Sequence, residues 1–226
     1  MMSGSSKDVW EKFVRGLPPG SIPRVIFSSW QRSKQAGVHA EVPTFNRIGT
    51  EKLETLLRSF GDLIQRVSPE LWRLSALLPQ PNAAYLAGPD GTVLYSVSTS
   101  PEIIDLYGLA PGFDWSEETM GTNGAGTALA TGEPVAVIGC DHYCAAWHDA
   151  ACMAAPLRDA EGGVVGAIDV TISRDAARPE HLAEVVRSAL TIERQLKAAG
   201  VTLEVCPAAR DGNAERIPAR RNLSRR

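Results

Sequence analysis

MAAPLRDAEGGVVGAIDVTI, residues 153–172, holds two runs of apolar and small residues, 153–157 and 164–172. Between them lies Asp159-Ala160-Glu161-Gly162-Gly163, a polar, glycine-rich link of the kind that reverses a chain. The reading is a strand pair, and so short a link suits antiparallel pairing. A second pair lies upstream, 83–87 and 92–96, joined by Gly88-Pro89-Asp90-Gly91. Residues 134–138 supply a further strand before Met153, and between the hairpins the spacing predicts a short helix over 123–131. Thr122 is placed to cap that helix, and Gly132 to end it.

Helices flank this block of strands. After a polar start and a Pro-Pro-Gly break at 18–20, residues 25–37 have helical composition and close on a glycine. Leu53, Leu56, Leu57, Phe60 and Ile64 repeat at helical spacing, so 50–64 reads as one helix. Ser68 and Pro69 read as the N-cap and first-turn proline of another, which carries Leu71, Leu74, Leu77 and Leu78 and stops before Pro79. From Pro179 to Ala199, Leu182, Val185, Val186, Ala189, Leu190 and Leu196 mark a single apolar stripe. Helices before and after antiparallel strands describe an α+β domain. The expected organisation is an amino-terminal arm with one helix over 1–49, a sheet domain over 50–200 and a basic tail over 201–226.

The chain has 226 residues, 44% apolar and 22% charged, which is enough for one ordinary core with extra segments. No run approaches the roughly 20 apolar residues of a membrane span. The formal charge of −3 is unevenly spread. Residues 207–226 carry six arginines against Asp211 and Glu215, a charge of +4 that leaves −7 for residues 1–206. The body is therefore expected to repel nucleic acid, and the tail, poor in large apolar residues, to be disordered. Four cysteines without a secretory leader suggest reduced thiols and a cytoplasmic protein.

Gly121-Thr-Asn-Gly-Ala-Gly-Thr127 superficially resembles a phosphate loop, but the lysine such a loop needs is missing. Glycines and alanines that let a helix approach a sheet explain the stretch without a ligand. The chemical centre is Cys140-Asp-His142-Tyr143-Cys144-Ala-Ala-Trp147-His148-Asp-Ala-Ala-Cys152. Thiolate and imidazole suit zinc or iron, with His142, Cys144, His148 and Cys152 as ligands and Cys140 in reserve. The commoner reading of the same residues is packing cysteines with a loop-bonding histidine, and a Cys–His nucleophile is a third reading. Trp115, Tyr143, Trp147, Tyr85 and Tyr95 are candidates for an aromatic pocket or for ordinary core.

Taken together, the segments resemble the amino-terminal GAF sensor region of the acetoin- and glycerol-metabolism activators, which are sigma-54-dependent regulators. Ser29-Trp30-Gln31-Arg32-Ser33 with Gly37 is similar to the family's opening helix. Gly112-Phe-Asp-Trp115-Ser116-Glu117 and Gly121-Thr-Asn123 through Gly126-Thr-Ala128 resemble its central motifs. Asp141-His142-Tyr143 and Cys152-Met-Ala-Ala-Pro156-Leu-Arg158-Asp159 resemble its closing signature, except that Ala150 stands where the family usually has Trp. The resemblance covers about residues 25–199. It implies a GAF sheet with a pocket for a small-molecule effector, lined by Trp115, Thr122, Asn123, Tyr143 and Trp147, and a homodimer built through helices. Full activators continue into an AAA+ ATPase and a helix-turn-helix, which are not expected of this sequence. A small metal-dependent enzyme using 140–152 is the alternative function.

Overall fold

The computed structural model describes residues 6–203 and the backbone of 215–218. In chain order the elements are α1 (Ser6–Val14), α2 (Arg24–Gln35), β1 (Thr44–Arg47), α3 (Thr50–Ser59), α4 (Gly61–Leu77), β2 (Ala83–Ala87) and β3 (Val93–Ser98). There follow α5 (Pro101–Tyr107), α6 (Glu117–Met120), α7 (Gly124–Thr131), β4 (Val135–Ile138), β5 (Ala150–Arg158), β6 (Val164–Ser173), α8 (Pro179–Ala198) and β7 (Glu215–Pro218). The main sheet runs β3-β2-β6-β5-β4, antiparallel at every joint, with β6 placed centrally by pairs such as Tyr85↔Asp169 and Cys152↔Thr171. β1 and β7 form a separate two-stranded sheet. This is the antiparallel α+β architecture that the short strand links predict and the GAF-like sheet that the family resemblance implies. Among the described residues no helix is long and apolar enough to cross a membrane.

Alternation along the strands gives the sheet two different faces. One presents Leu86, Met153, Leu157, Ile168 and Val170, and packs against Leu63, Val67, Leu71 and Leu74 of α4 and Val185, Ile192 and Leu196 of α8. Burying each of these side chains contributes about 1.5–3 kcal/mol. The apolar stripe of α8, expected to form a dimer contact, is thus largely covered within the chain. Leu190 stays outside with Trp72 and Leu77 of α4, each at least half exposed.

Helix boundaries differ from expectation in two places. The break between α3 and α4 falls at Phe60, whose buried ring anchors the turn, and Pro69 lies inside α4 instead of starting a helix. Proline forfeits one amide donor within a helix. Here Ser68 Oγ donates to Gln65 O at 3.3 Å, supplying the carbonyl that Pro69 cannot reach. The arm carries α1 and α2 where one helix was expected; Trp10 and Phe13 of α1 are buried against α2, so tertiary contact stabilises a nine-residue helix. Of the tail expected to be disordered, 204–214 and 219–226 lie outside the described residues, as does Cys206. Residues 215–218 form β7.

The arm docks through a buried charge. Glu117 of α6 is 4% exposed, and its carboxylate accepts Arg32 Nε at 2.5 Å, Arg32 Nη2 at 2.9 Å and Ser29 Oγ at 2.5 Å. Ser29 Oγ also lies 2.6 Å from Thr122 Oγ1, and Ser33 Oγ 3.3 Å from the same hydroxyl. Hydrogen bonds to charged groups are worth about 1.5–3 kcal/mol each, and removing one side of a buried pair strands the other. Glu117→Ala should therefore cost about 2–4 kcal/mol in urea denaturation. A loss below about 1 kcal/mol would mean that apolar packing alone seats the arm.

Candidate functional site

The second face of the sheet is built low. Ala83 and Ala87 of β2, Ala167 of β6 and Ala150 and Ala154 of β5 leave little side-chain bulk, and among them stand Tyr85, Asp169, Thr171 and Cys152, all buried. Over this floor lies α7, whose amino end approaches so closely that a Cβ on Gly124 would stand 1.9 Å from Asp169 Oδ2 and 2.8 Å from Cys152 Cβ. A Cβ on Gly126 would meet Trp115 O at 2.7 Å. The glycine-rich stretch is thus a close-packing device, as its lack of lysine suggests. Asn123 caps the helix, accepting Gly126 N–H at 2.8 Å, so the cap is Asn123 and not the expected Thr122.

Beside α7 the floor is walled by aromatic rings. Trp115 lies 6.3 Å from Tyr85 and 5.4 Å from Trp147, measured between ring centroids, and Trp147 lies 5.7 Å from Tyr107 and 5.9 Å from Phe45. Trp115 Nε1 donates to Gly108 O at 2.9 Å. Tyr85 and Asp169 stand at paired positions of β2 and β6 and interact with each other, and the Ala125 amide also faces the Asp169 carboxyl. Trp147 Nε1 is buried without a hydrogen-bond partner, and buried donors are ordinarily paired.

Burial dominates the electrostatics. It raises the Asp169 carboxyl from an ordinary 3.8 to about 8, against the opposing pull of the Thr171 hydroxyl, the Ala125 amide and the Tyr85 hydroxyl. Burial, then the neighbouring Asp169 and Cys152, raises the Tyr85 hydroxyl, and burial likewise raises the Cys152 thiol. Burial lowers His142 to about 4, leaving a neutral ring at neutral pH. His142 Nδ1 lies 3.0 Å from Gly139 O; a carbonyl only accepts, so Nδ1 carries the proton and Nε2 accepts from Cys152 Sγ at 3.4 Å. By the same logic His148 Nε2 donates to His142 O at 3.3 Å, and Nδ1 accepts from Cys140 Sγ at 3.4 Å. Both pairs are thiol with neutral imidazole, not thiolate with imidazolium.

The residues singled out from sequence therefore separate. Trp115 and Trp147 share the aromatic layer; Asn123 caps α7 behind it, and Thr122 belongs to the polar cluster around Ser29. Tyr143 packs with Phe13 and Val137 on the arm side, apart from the Trp115–Trp147 layer. His142 meets Cys152 and His148 meets Cys140, but Cys144 lies in the aromatic cluster, its thiol raised by burial to about 11. No three of these ligand-type side chains converge, and among the described residues no group of three or more His, Cys, Asp or Glu is arranged to hold one ion. The Cys/His loop serves instead as the seat of the arm: Trp10 Nε1 donates to Tyr143 O at 2.9 Å and Trp30 Nε1 to Asp141 O at 2.7 Å. Asp169 escaped the sequence reading. Its signal was a lone carboxylate in the apolar run 164–172.

A small-residue floor, a glycine-led helix laid on it and a buried aromatic wall define the GAF-like class of α+β domain. The chain belongs to the family described as MimR, N-terminal domain, which matches residues 6–193. It is 32% identical over 168 residues to the propane 2-monooxygenase operon transcriptional activator MimR of Mycolicibacterium smegmatis, a match covering 72% of this chain and 28% of that protein. It is 30% identical over 196 residues to the acetoin dehydrogenase operon transcriptional activator AcoR of Bacillus subtilis, covering 84% and 32%. The chain thus spans about a third of the length of these curated relatives. Its fold is similar to that of a chain in the E. coli DhaR(N)-DhaL complex, with a TM-score of 0.70 at 18% identity over 77% of this chain and 61% of that one.

Two outcomes test this geometry. Because Asp169 binds its proton more tightly folded than unfolded, its contribution to stability is complete below about pH 4 and is lost as pH rises through about 8. Asp169→Asn stays neutral, so its stability relative to wild type should improve by on the order of 1 kcal/mol per pH unit between about pH 5 and 8 in denaturant titrations. A pH-independent difference would place the proton elsewhere. Gly124→Ala should destabilise by about 1–3 kcal/mol, since the floor has no room for a methyl group; a neutral substitution would contradict the close approach of α7.

Proposed function

We propose that this domain is the sensory module of a transcriptional activator and takes a small, largely apolar or weakly polar organic molecule into the layer formed by Tyr85, Trp115, Trp147 and Asp169. The observation that carries the reading is the unpartnered buried donor Trp147 Nε1 in the same aromatic layer as the buried Tyr85–Asp169 pair. Trp147 Nε1 can only donate, so it calls for an acceptor oxygen, whereas Tyr85 Oη can serve either way. Aromatic walls with few polar handles suit a compact alcohol, ketone or diol. The relatives' names fit a small-molecule signal, since they assign those activators to operons for propane 2-monooxygenase and acetoin dehydrogenase. Sigma-54-dependent output belongs to this reading through the resemblance of the motifs to such activators. The enzyme alternative has no comparable support, because its ligand set does not converge. A homodimer contact, if one forms through helices, would use Trp72, Leu77 and Leu190, and light scattering at micromolar concentration tests it.

A ligand bound only by the folded state raises the melting temperature by mass action. Thermal-shift screening of short-chain alcohols, ketones and diols should therefore yield a saturable increase. Tyr85→Phe removes one handle while keeping the ring's shape, so the variant should bind the ligand about tenfold more weakly. Absence of any shift across the panel would count against the proposal, and an unaltered affinity in Tyr85→Phe would remove that residue from it.

A further inference from the structure

β1 has two edges, and one is fully used. Asn46 O accepts Asp114 N–H at 3.0 Å and Ile48 N–H donates to Gly112 O at 2.9 Å, tying that edge to residues 112–114. Alternate residues of a strand turn their backbone groups to opposite edges, which sends the N–H and C=O of Phe45 and Arg47 the other way. There they meet β7, in the antiparallel register Phe45↔Ile217 and Arg47↔Glu215. An edge strand is a template for pairing, and what pairs with this one is a segment that returns after α8.

Next to the same strand lies a cleft of about 1090 Å³, bordered by Asn46, the start of α3, the turn around Asp90 and residues 114–119. Beside the mutually satisfied pair Glu117–Arg32, four carboxylates line it, those of Glu51, Asp90, Asp114 and Glu118, with Lys52 the one further cation in the lining. The segment that supplies β7 has the opposite charge, +4 over 207–226, while residues 1–206 carry −7. We propose that the β1 edge and the acidic cleft beside it are a docking site for this chain's own arginine-rich carboxyl-terminal segment. Strand addition gives the affinity and register, and charge draws the segment to this face rather than to another edge. Phe45, held by β7 through its backbone, packs edge-on against Trp147 at 5.9 Å, so the docked segment bears on the aromatic layer.

Hydrogen exchange in the full chain, followed by NMR, tests this with two variants. Ile217→Pro deletes the amide opposite Phe45; Arg216→Glu, Arg220→Glu and Arg221→Glu combined reverse the tail's charge. The amides of Phe45 and Arg47 should exchange at least about tenfold more slowly in wild type than in Ile217→Pro, with β5 and β6 unchanged. The charge variant should lie between them, and wild-type protection should fall as ionic strength rises from about 0.05 to about 0.5 M. Equal rates at Phe45 and Arg47 in wild type and Ile217→Pro overturn the proposal. Full protection in the charge variant overturns the part played by the cleft. Should Ile217→Pro also accelerate β5 and β6, the charge variant alone decides, and unchanged protection there overturns the whole.

Discussion

A carboxylate that is almost entirely removed from water must be satisfied from all sides, and Glu117 is satisfied by one helix. Arg32 and Ser29, both on α2, fill its acceptor positions. The interaction adds little net stability, because desolvating the Glu117 carboxylate offsets much of its attraction to Arg32. Its effect is on arrangement: any position of the arm that withdraws Arg32 leaves a bare buried charge, so only one docking is tolerated. Glu117 begins α6, α6 runs through Gly121 into α7, and α7 covers the sheet floor. The arm and the candidate site therefore have one anchor between them.

Much of the architecture was legible because it is written in local pattern. Helical spacing in 179–199, the glycine-rich links of both hairpins and the glycine stop of α7 are short-range signals, and they needed no tertiary knowledge. The α3–α4 boundary was misplaced because Ser68-Pro69 is also a local signal, here overruled by a serine hydroxyl and by the apolar face α4 buries. The site was less legible for a reason of distance. Ser29 and Glu117 are 88 residues apart, and Ser29 and Thr122 are 93 apart. The motifs around them can be quoted one by one from the sequence, yet only the fold shows that they form a single polar cluster. The Cys/His segment shows the converse relation. Ligand-type residues crowded along thirteen positions do not converge when the backbone turns between them, and here they pair off as Cys140 with His148 and His142 with Cys152.

Those pairs also show how the loop remains neutral at depth. Each imidazole gives its proton to a backbone carbonyl and takes one from a thiol, so no charge has to be buried. From Cys152 the row continues through Thr171 at 3.5 Å to Asp169 Oδ1 at 3.4 Å, where the floor meets the aromatic wall. Seated on the outer end of this row, Trp10 and Trp30 fix the arm to the loop backbone. The arm's two helices thus bond to the sheet domain at the Glu117 cluster and at the Cys/His loop, and both lead inward to Asp169.

On the proposed sensory reading, this doubly connected arrangement supplies the means of output. A ligand oxygen drawn to Asp169 Oδ2 approaches an atom already pressed against the backbone of Gly124, with no side chain between to absorb the displacement. Close-packed contacts of this kind transmit a shift instead of dissipating it. The backbone that would move runs directly back from Gly124 through Asn123 to Thr122, whose hydroxyl stands 2.6 Å from Ser29 on the arm. Glycine at position 124 then does more than permit packing: by omitting the one side chain that would hold α7 off the floor, it places the site and the arm within three consecutive residues of each other.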